Sequence, residues 1–269
     1  MSINNVDVFF ITGTGRSGTN ITKEVLSRHP QILSLPFEYR FSIDPFGLVD
    51  TYSSIKNIWT PYNINLKINK MEKLLSKMGK INLIEFIIGK IINFINPSGK
   101  VLTPPPYYDW NLQKWFPNYF KYVNRLIKEI TSFRYNAYWP GVDIFQLNNE
   151  MRFIIYNSDL KKPFRKFLRS IILGILTNNG KKIFIDDNTW SILYSKEIKE
   201  ILPEAKFIHV IRDPRDVVAS MISQRWTPSE LNNCILYYSS IMDKIIDNKE
   251  LLDKDSIFEF KLEFMVKNR

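Results

Sequence analysis

Apolar positions gather in short unbroken runs near the two ends of the chain. At the start, "VDVFFI" (6–11) reads as a buried strand, then comes a glycine-rich loop, and helical spacing runs from about Gly18 to Arg28, where His29-Pro30 ends it. "ILSL" follows as a second short strand, which completes a strand, loop and helix unit of the kind that begins a parallel α/β sheet. From about Phe41 to Tyr156 the pattern is helical and broken by loops such as "TPPPYYDW" and "YWPG", without a repeat or a low-complexity tract. Sheet patterning returns with "KKIFID", a helix near Ser191 to Ile201, "KFIHVI", a helix opening at "DPRD", a helix from about Pro228 to Leu252, and "SIFEFKLEF" as a last strand. These elements predict one α/β domain over 1–269, a P-loop-like parallel sheet flanked by helices with a mostly helical insertion at about 41–156. Ligands are expected at the carboxyl ends of its strands.

Composition narrows the ligand. With 269 residues and 45% hydrophobic content the chain can bury one large core. Its 37 Lys and Arg against 27 Asp and Glu give a net charge of +10, which suits anions: nucleotides, sulfated or acidic glycans, nucleic acid or anionic lipid. The single cysteine, Cys234, excludes an internal disulfide and fits a reducing compartment. No secretory signal is visible, and the longest apolar stretch, Ile81 to Ile95, is broken by Glu85 and Lys90 and falls short of the ~20 residues that cross a bilayer. A soluble, cytoplasmic protein is expected.

Two segments carry candidate chemistry. In "ITGTGRSGTN" (11–20), glycines at 13, 15 and 18 let successive backbone N–H groups close on an anion, with the positive end of the next helix pointing at the same place. The Gly13-x4-Gly18 spacing matches a P-loop. Yet Thr19 stands where the lysine would be and Asn20 where the magnesium-holding hydroxyl would be, while Arg16 supplies a cation inside the loop and Ser17, Thr19 and Asn20 supply neutral donors. In "FIHVIRDPRDVVAS", Arg212 ends a strand, Asp213 caps a helix, Pro214 is its first residue and Ser220 lies two turns in. An arginine fork with a nearby serine suits a second phosphate. The plainer readings are a glycine turn at the first segment and Arg212 and Arg215 paired with Asp213 and Asp216 at the second.

Together, strand-"GTGRSGT"-helix and strand-"IRDPRDVVAS"-helix resemble the sulfotransferases that use 3′-phosphoadenosine 5′-phosphosulfate (PAPS), and "SQRWTP" resembles the bacterial members. The resemblance implies PAPS as sulfuryl donor, its 5′-phosphosulfate end held by Gly15, Arg16, Ser17, Gly18, Thr19 and Asn20 and its 3′-phosphate by Arg212 and Ser220. Such a transfer needs no magnesium, so the missing lysine and metal ligand are accounted for. The resemblance does not cover the middle of the chain and names no acceptor; the insertion is expected on the acceptor side.

Transfer to a hydroxyl needs a base, an in-line geometry and charge neutralised on the leaving phosphate. His29 ends the first helix and His209 lies inside a strand, which leaves a carboxylate as the better base. "LPFEYRF" is similar to the Glu-x-Arg of tyrosylprotein sulfotransferases, with one extra residue from the loop, and implies Glu38 as base; an ion pair of Glu38 with Arg40 is the structural alternative. Where those relatives carry a catalytic lysine, this chain reads "IDDNTWS". Arg16 is then the catalytic cation, and Asp187 a second candidate base. The family usually continues into a glycine-containing segment that closes over the nucleotide, and nothing after "KLEFMVKNR" does so. Either the nucleotide site is open, or the middle segment covers it, or this is a truncated, inactive form.

Weaker signals complete the picture. Lys67, Lys70, Lys73, Lys77 and Lys80 form a helical stripe opposite Leu66, Met71, Leu74, Leu75 and Met78, suited to an anionic membrane, an acidic acceptor or plain solvent; Lys161, Arg165 and Arg169 form another. Tyr107, Tyr108, Trp110, Trp115 and Trp139 either stack on sugars or pack loops. No His, Cys and Asp cluster has ligand spacing, so no metal is expected, and no nucleic acid. The expected function is sulfuryl transfer to a hydroxyl of a carbohydrate or small molecule. The alternatives are a P-loop kinase or NTPase, which needs ATP and magnesium, and a non-catalytic anion-binding protein.

Overall fold

The computed structural model describes residues 6–96, 102–137 and 150–267, of Val266 the backbone alone. The "YWPG" loop and Trp139 lie outside the described residues. In chain order the elements are β1 (Asp7–Thr12), α1 (Thr19–Leu26), β2 (Ile32–Ser34), α2 (Leu48–Asn57), α3 (Pro61–Gly79), α4 (Leu83–Ile95), α5 (Leu112–Trp115), α6 (Tyr119–Ile130), β3 (Phe133–Asn136) and β4 (Glu150–Phe153). They continue with α7 (Lys161–Asn178), β5 (Ile183–Asp186), α8 (Ser195–Ile201), β6 (Ala205–Ile211), α9 (Pro214–Ile222), α10 (Leu231–Glu250), β7 (Ile257–Lys261) and α11 (Leu262–Lys267). The chain divides into two compact units, 1–43 with 176–269, and 44–175.

The first unit is built on a five-stranded sheet in the order β2-β5-β1-β6-β7, every adjacent pair parallel. The expected α/β class is what forms. Its central strands are apolar on both faces, as parallel strands covered by helices must be: Val8, Phe10 and Ile11 of β1, Phe184 and Ile185 of β5, and Phe207 and Val210 of β6 are all buried. Capping sets where the helices begin. Asp213 accepts from the Arg215 amide with Pro214 as first residue of α9, whereas α10 starts only after Glu230, whose carboxylate accepts from the amides of Asn232 and Asn233.

Topology then places a site. From β1 the chain moves to β2 on one side of the sheet; from β6 it moves to β7 on the other. The connections leaving the neighbouring strands β1 and β6 therefore diverge and open a crevice at their carboxyl ends, where ligands bind in open α/β sheets.

The second unit is mainly helical. Leu48, Tyr52 and Ile55 of α2, Ile68, Met71 and Leu75 of α3, and Val123 and Leu126 of α6 are buried within it. It also holds a short antiparallel hairpin, β3 with β4, that the helical pattern did not predict. Asn65 on α3 accepts from the Arg152 amide at 2.9 Å and ties the hairpin to the helices.

Candidate active site

The glycine loop follows β1 and turns through three residues of positive φ: Gly15 (78°), Arg16 (58°) and Gly18 (102°). Two of them are glycine for steric reasons as well. A Cβ on Gly15 would come within 2.8 Å of the Trp226 ring, and one on Gly18 within 2.7 Å of Leu262, the first residue of α11. Gly18 caps α1 without a side-chain hydrogen bond, so the amides of Thr19, Asn20 and Ile21 have no helical partner and face the loop end of the dipole. The Ser17 hydroxyl is buried and has no hydrogen-bond partner among the described residues. A buried polar atom left unpaired is costly, and a cradle of free amides around it suits an anion.

The base of the loop is fixed by the segment after β5. Gly13 donates its amide to the Thr189 carbonyl at 3.1 Å, the Thr12 hydroxyl donates to the same oxygen at 2.8 Å, and the hydroxyls of Thr19 and Thr189 lie 3.5 Å apart. Asn20, in contrast, is exposed.

The second motif comes to the first. The Arg16 Nε donates to the Ser220 Oγ at 2.9 Å, and the Arg212 Nη1 donates to the Arg16 carbonyl at 3.1 Å. The arginines of "IRDPRD" divide their labour. Arg215 makes a two-pronged contact with Asp213, Nε to Oδ1 at 3.0 Å and Nη2 to Oδ2 at 2.7 Å, and holds that carboxyl down at about 2. Arg212 has only a loose 3.8 Å approach to Asp216 and turns to the loop instead. Beside it opens a cleft of about 830 Å³ whose lining includes Arg212, Pro214, Lys261, Glu263, Phe264 and Lys267.

A carboxylate cluster lies at the ends of β2 and β5. Asp186 accepts from the Tyr39 amide at 2.8 Å; burial pushes its carboxyl well above the usual range, with the charges of Asp187 and Glu38 adding to the rise. Glu38 is half-buried and stands within electrostatic reach of Asp186. Asp187 is buried with its Oδ2 2.9 Å from the Lys23 Nζ. Lys23 escaped the sequence reading, although it lies four residues after Thr19 and so shares the inward face of α1. Trp190 and Trp226 lie within the quoted "IDDNTWS" and "SQRWTP"; their rings meet edge to face, centroids 6.3 Å apart, over Gly15.

Residues 142–269 match the family described as the sulfotransferase family. That stretch carries Arg212, Ser220 and both aspartates, and it starts well after the glycine loop, so the sulfotransferase-family match and the loop meet only in the folded chain. Similar solved structures include the following three. The sulfotransferase domain of the Synechococcus PCC 7002 olefin synthase matches at 14% identity and a TM-score of 0.45, over 97% of this chain and 68% of that one. The sulfotransferase domain from the curacin biosynthetic pathway matches at 11% and 0.45, over 98% and 69%. A sulfotransferase of Mycobacterium tuberculosis H37Rv matches at 12% and 0.45, over 98% of this chain and 64% of that one. No curated protein matches the sequence. Among the described residues no group of His, Cys, Asp and Glu could hold a metal ion.

Proposed function

We propose that the chain moves a sulfuryl group from PAPS to a hydroxyl of a carbohydrate or small-molecule acceptor. The observation that carries this reading is the convergence of Arg16, Arg212 and Ser220, two loops that the sheet topology brings to one crevice. A donor with a phosphate at each end suits two separate arginine-bearing bends. The free amides of α1, the unpaired Ser17 hydroxyl and Arg16 suit its phosphosulfate end, Arg212 with Ser220 suits the 3′-phosphate, and the cleft beside Arg212 has room for a nucleoside.

In this reading Glu38 accepts the acceptor's proton, the hydroxyl oxygen bonds to sulfur as the sulfur to phosphate-oxygen bond breaks, and Arg16 offsets charge on the leaving adenosine 3′,5′-bisphosphate. Asp187 suits the base role less well. It is buried with its Oδ2 2.9 Å from the Lys23 Nζ, away from solvent-borne hydroxyls. Asn20 has no hydroxyl to offer magnesium, which speaks against an ATP-using kinase.

Titration calorimetry with adenosine 3′,5′-bisphosphate and with ATP-magnesium tests the donor. Tighter binding of the bisphosphate is expected, and a preference for ATP-magnesium would overturn the reading. Incubation with labelled PAPS and a panel of glycans, lipids and phenols then identifies the acceptor. Bisphosphate binding with no transfer to any of them would favour the non-catalytic alternative.

A further inference from the structure

Helix α4 turns its most apolar face to solvent. Leu83 is 74% exposed, Ile84 70%, Ile87 57%, Ile91 51%, Phe94 89% and Ile95 72%. At 100° per residue these positions fall within an arc of about 120°. The opposite side is the attached one: Gly89 meets the Tyr108 ring, Ile92 is buried, and the Asn93 amide donates to the Tyr108 hydroxyl at 2.7 Å. The exposed arc is therefore an outer face presented by a helix that is anchored from behind. A contiguous apolar face of this kind marks an interaction surface.

Its surroundings are cationic. Lys70, Lys73 and Lys77 lie along one stripe of α3 and Lys80 follows its last residue; Lys77 pairs with Glu85 of α4 at 3.1 Å, so the stripe borders the helix. Lys73 and Lys80 are exposed. Lys90 sits on the edge of the apolar arc, with its Nζ 5.3 Å from the Phe86 ring centre. The acidic residues of the two helices are both paired, Glu85 with Lys77 and Glu72 with Arg152.

We infer that α4 and the α3 lysines dock the protein on an anionic lipid bilayer, with α4 lying in the plane of the interface. An apolar face bordered by lysines is what an interfacial helix needs: side chains that enter the acyl boundary and cations that meet phosphate headgroups. Spanning is excluded by length, since α4 has 13 residues and no described helix is long and apolar enough to cross a membrane. A second copy fits less well, because a two-fold contact through α4 would bring the same lysines of both copies together.

Flotation of the full chain with vesicles tests this. Binding is expected to phosphatidylcholine vesicles containing phosphatidylglycerol and to fall steeply with salt, with little binding to phosphatidylcholine alone. Ile87→Ser/Ile91→Ser/Phe94→Ser should reduce partition by at least about tenfold, and Lys73→Gln/Lys80→Gln on the order of tenfold with a shallower salt dependence. All five side chains are at the surface, so thermal unfolding should not change, and adenosine 3′,5′-bisphosphate binding provides a second check of the fold. No binding to anionic vesicles overturns the inference. So does sedimentation showing a dimer that the triple apolar variant dissociates.

Discussion

The guanidinium of Arg16 reaches the hydroxyl of Ser220 across 2.9 Å although 204 positions separate them in the chain. Arg16 adopts a positive φ to do so, a conformation that costs a non-glycine residue energy and that persists where surrounding contacts over-determine it. One such contact is on its own carbonyl, which accepts from Arg212. The two arginines thus hold each other in place, and the contact is a junction between the loops after β1 and β6.

If that junction grips a nucleotide, its members should differ in weight. Arg16→Ala removes a charged donor, worth about 1.5–3 kcal/mol, so adenosine 3′,5′-bisphosphate should bind about tenfold to a hundredfold more weakly. Ser220→Ala removes one neutral partner and should cost about twofold to tenfold. Calorimetry ranks them; equal affinity in Arg16→Ala and the parent protein would sink the proposed site.

The two candidate bases separate by stability. Asp187→Asn strands the buried Lys23 ammonium, and breaking a buried pair from one side costs about 3–5 kcal/mol, so denaturant midpoints should fall sharply. Glu38→Gln leaves a half-buried side chain of the same shape and should lower the transfer rate while sparing both midpoint and donor binding. A Glu38→Gln variant with undiminished turnover passes the base role elsewhere.

What the sequence made legible was local. Gly13-x4-Gly18, the Asp213-Pro214 start of α9 and the His29-Pro30 stop after α1 are written in neighbouring residues, and the sheet class follows from their alternation with apolar runs. What stayed hidden depends on distant partners. Lys23 and Asp187 meet only because α1 and the end of β5 pack together. Trp226 matters to Gly15 through a ring contact that no spacing encodes. The β3–β4 hairpin pairs strands of four residues each, and an exposed Phe133 blurs the alternation that would reveal it. The start of α10 at Leu231 rather than Pro228 shows Glu230 winning as the cap.

Gly18 combines two constraints, a φ of 102° and the closeness of Leu262. Gly18→Ala should therefore lower stability by about 1–3 kcal/mol and loosen the amide cradle. Pairing it with Leu262→Ala relieves the clash but not the dihedral. Leu262 is itself a core residue, so the comparison is with Leu262→Ala alone: there Gly18→Ala should cost less than in the parent, and no remaining cost would assign the whole effect to packing.

His209 gives the fold a pH dependence of known sign. It is buried in β6, and burial lowers its pKa below 6.5, although a hydrogen bond to the Glu259 carboxylate at 2.7 Å opposes the shift and Lys249, bound to the same carboxylate, favours it. Below 6.5 the unfolded chain takes up a proton that the folded chain resists. Stability should then be full above about 6.5 and decline as pH falls from there to the folded-state value. His209→Gln removes the titrating ring, so the difference in midpoint between parent and variant should shrink towards acid over that window. A difference that grows instead would mean that Glu259 raises the His209 pKa more than burial lowers it.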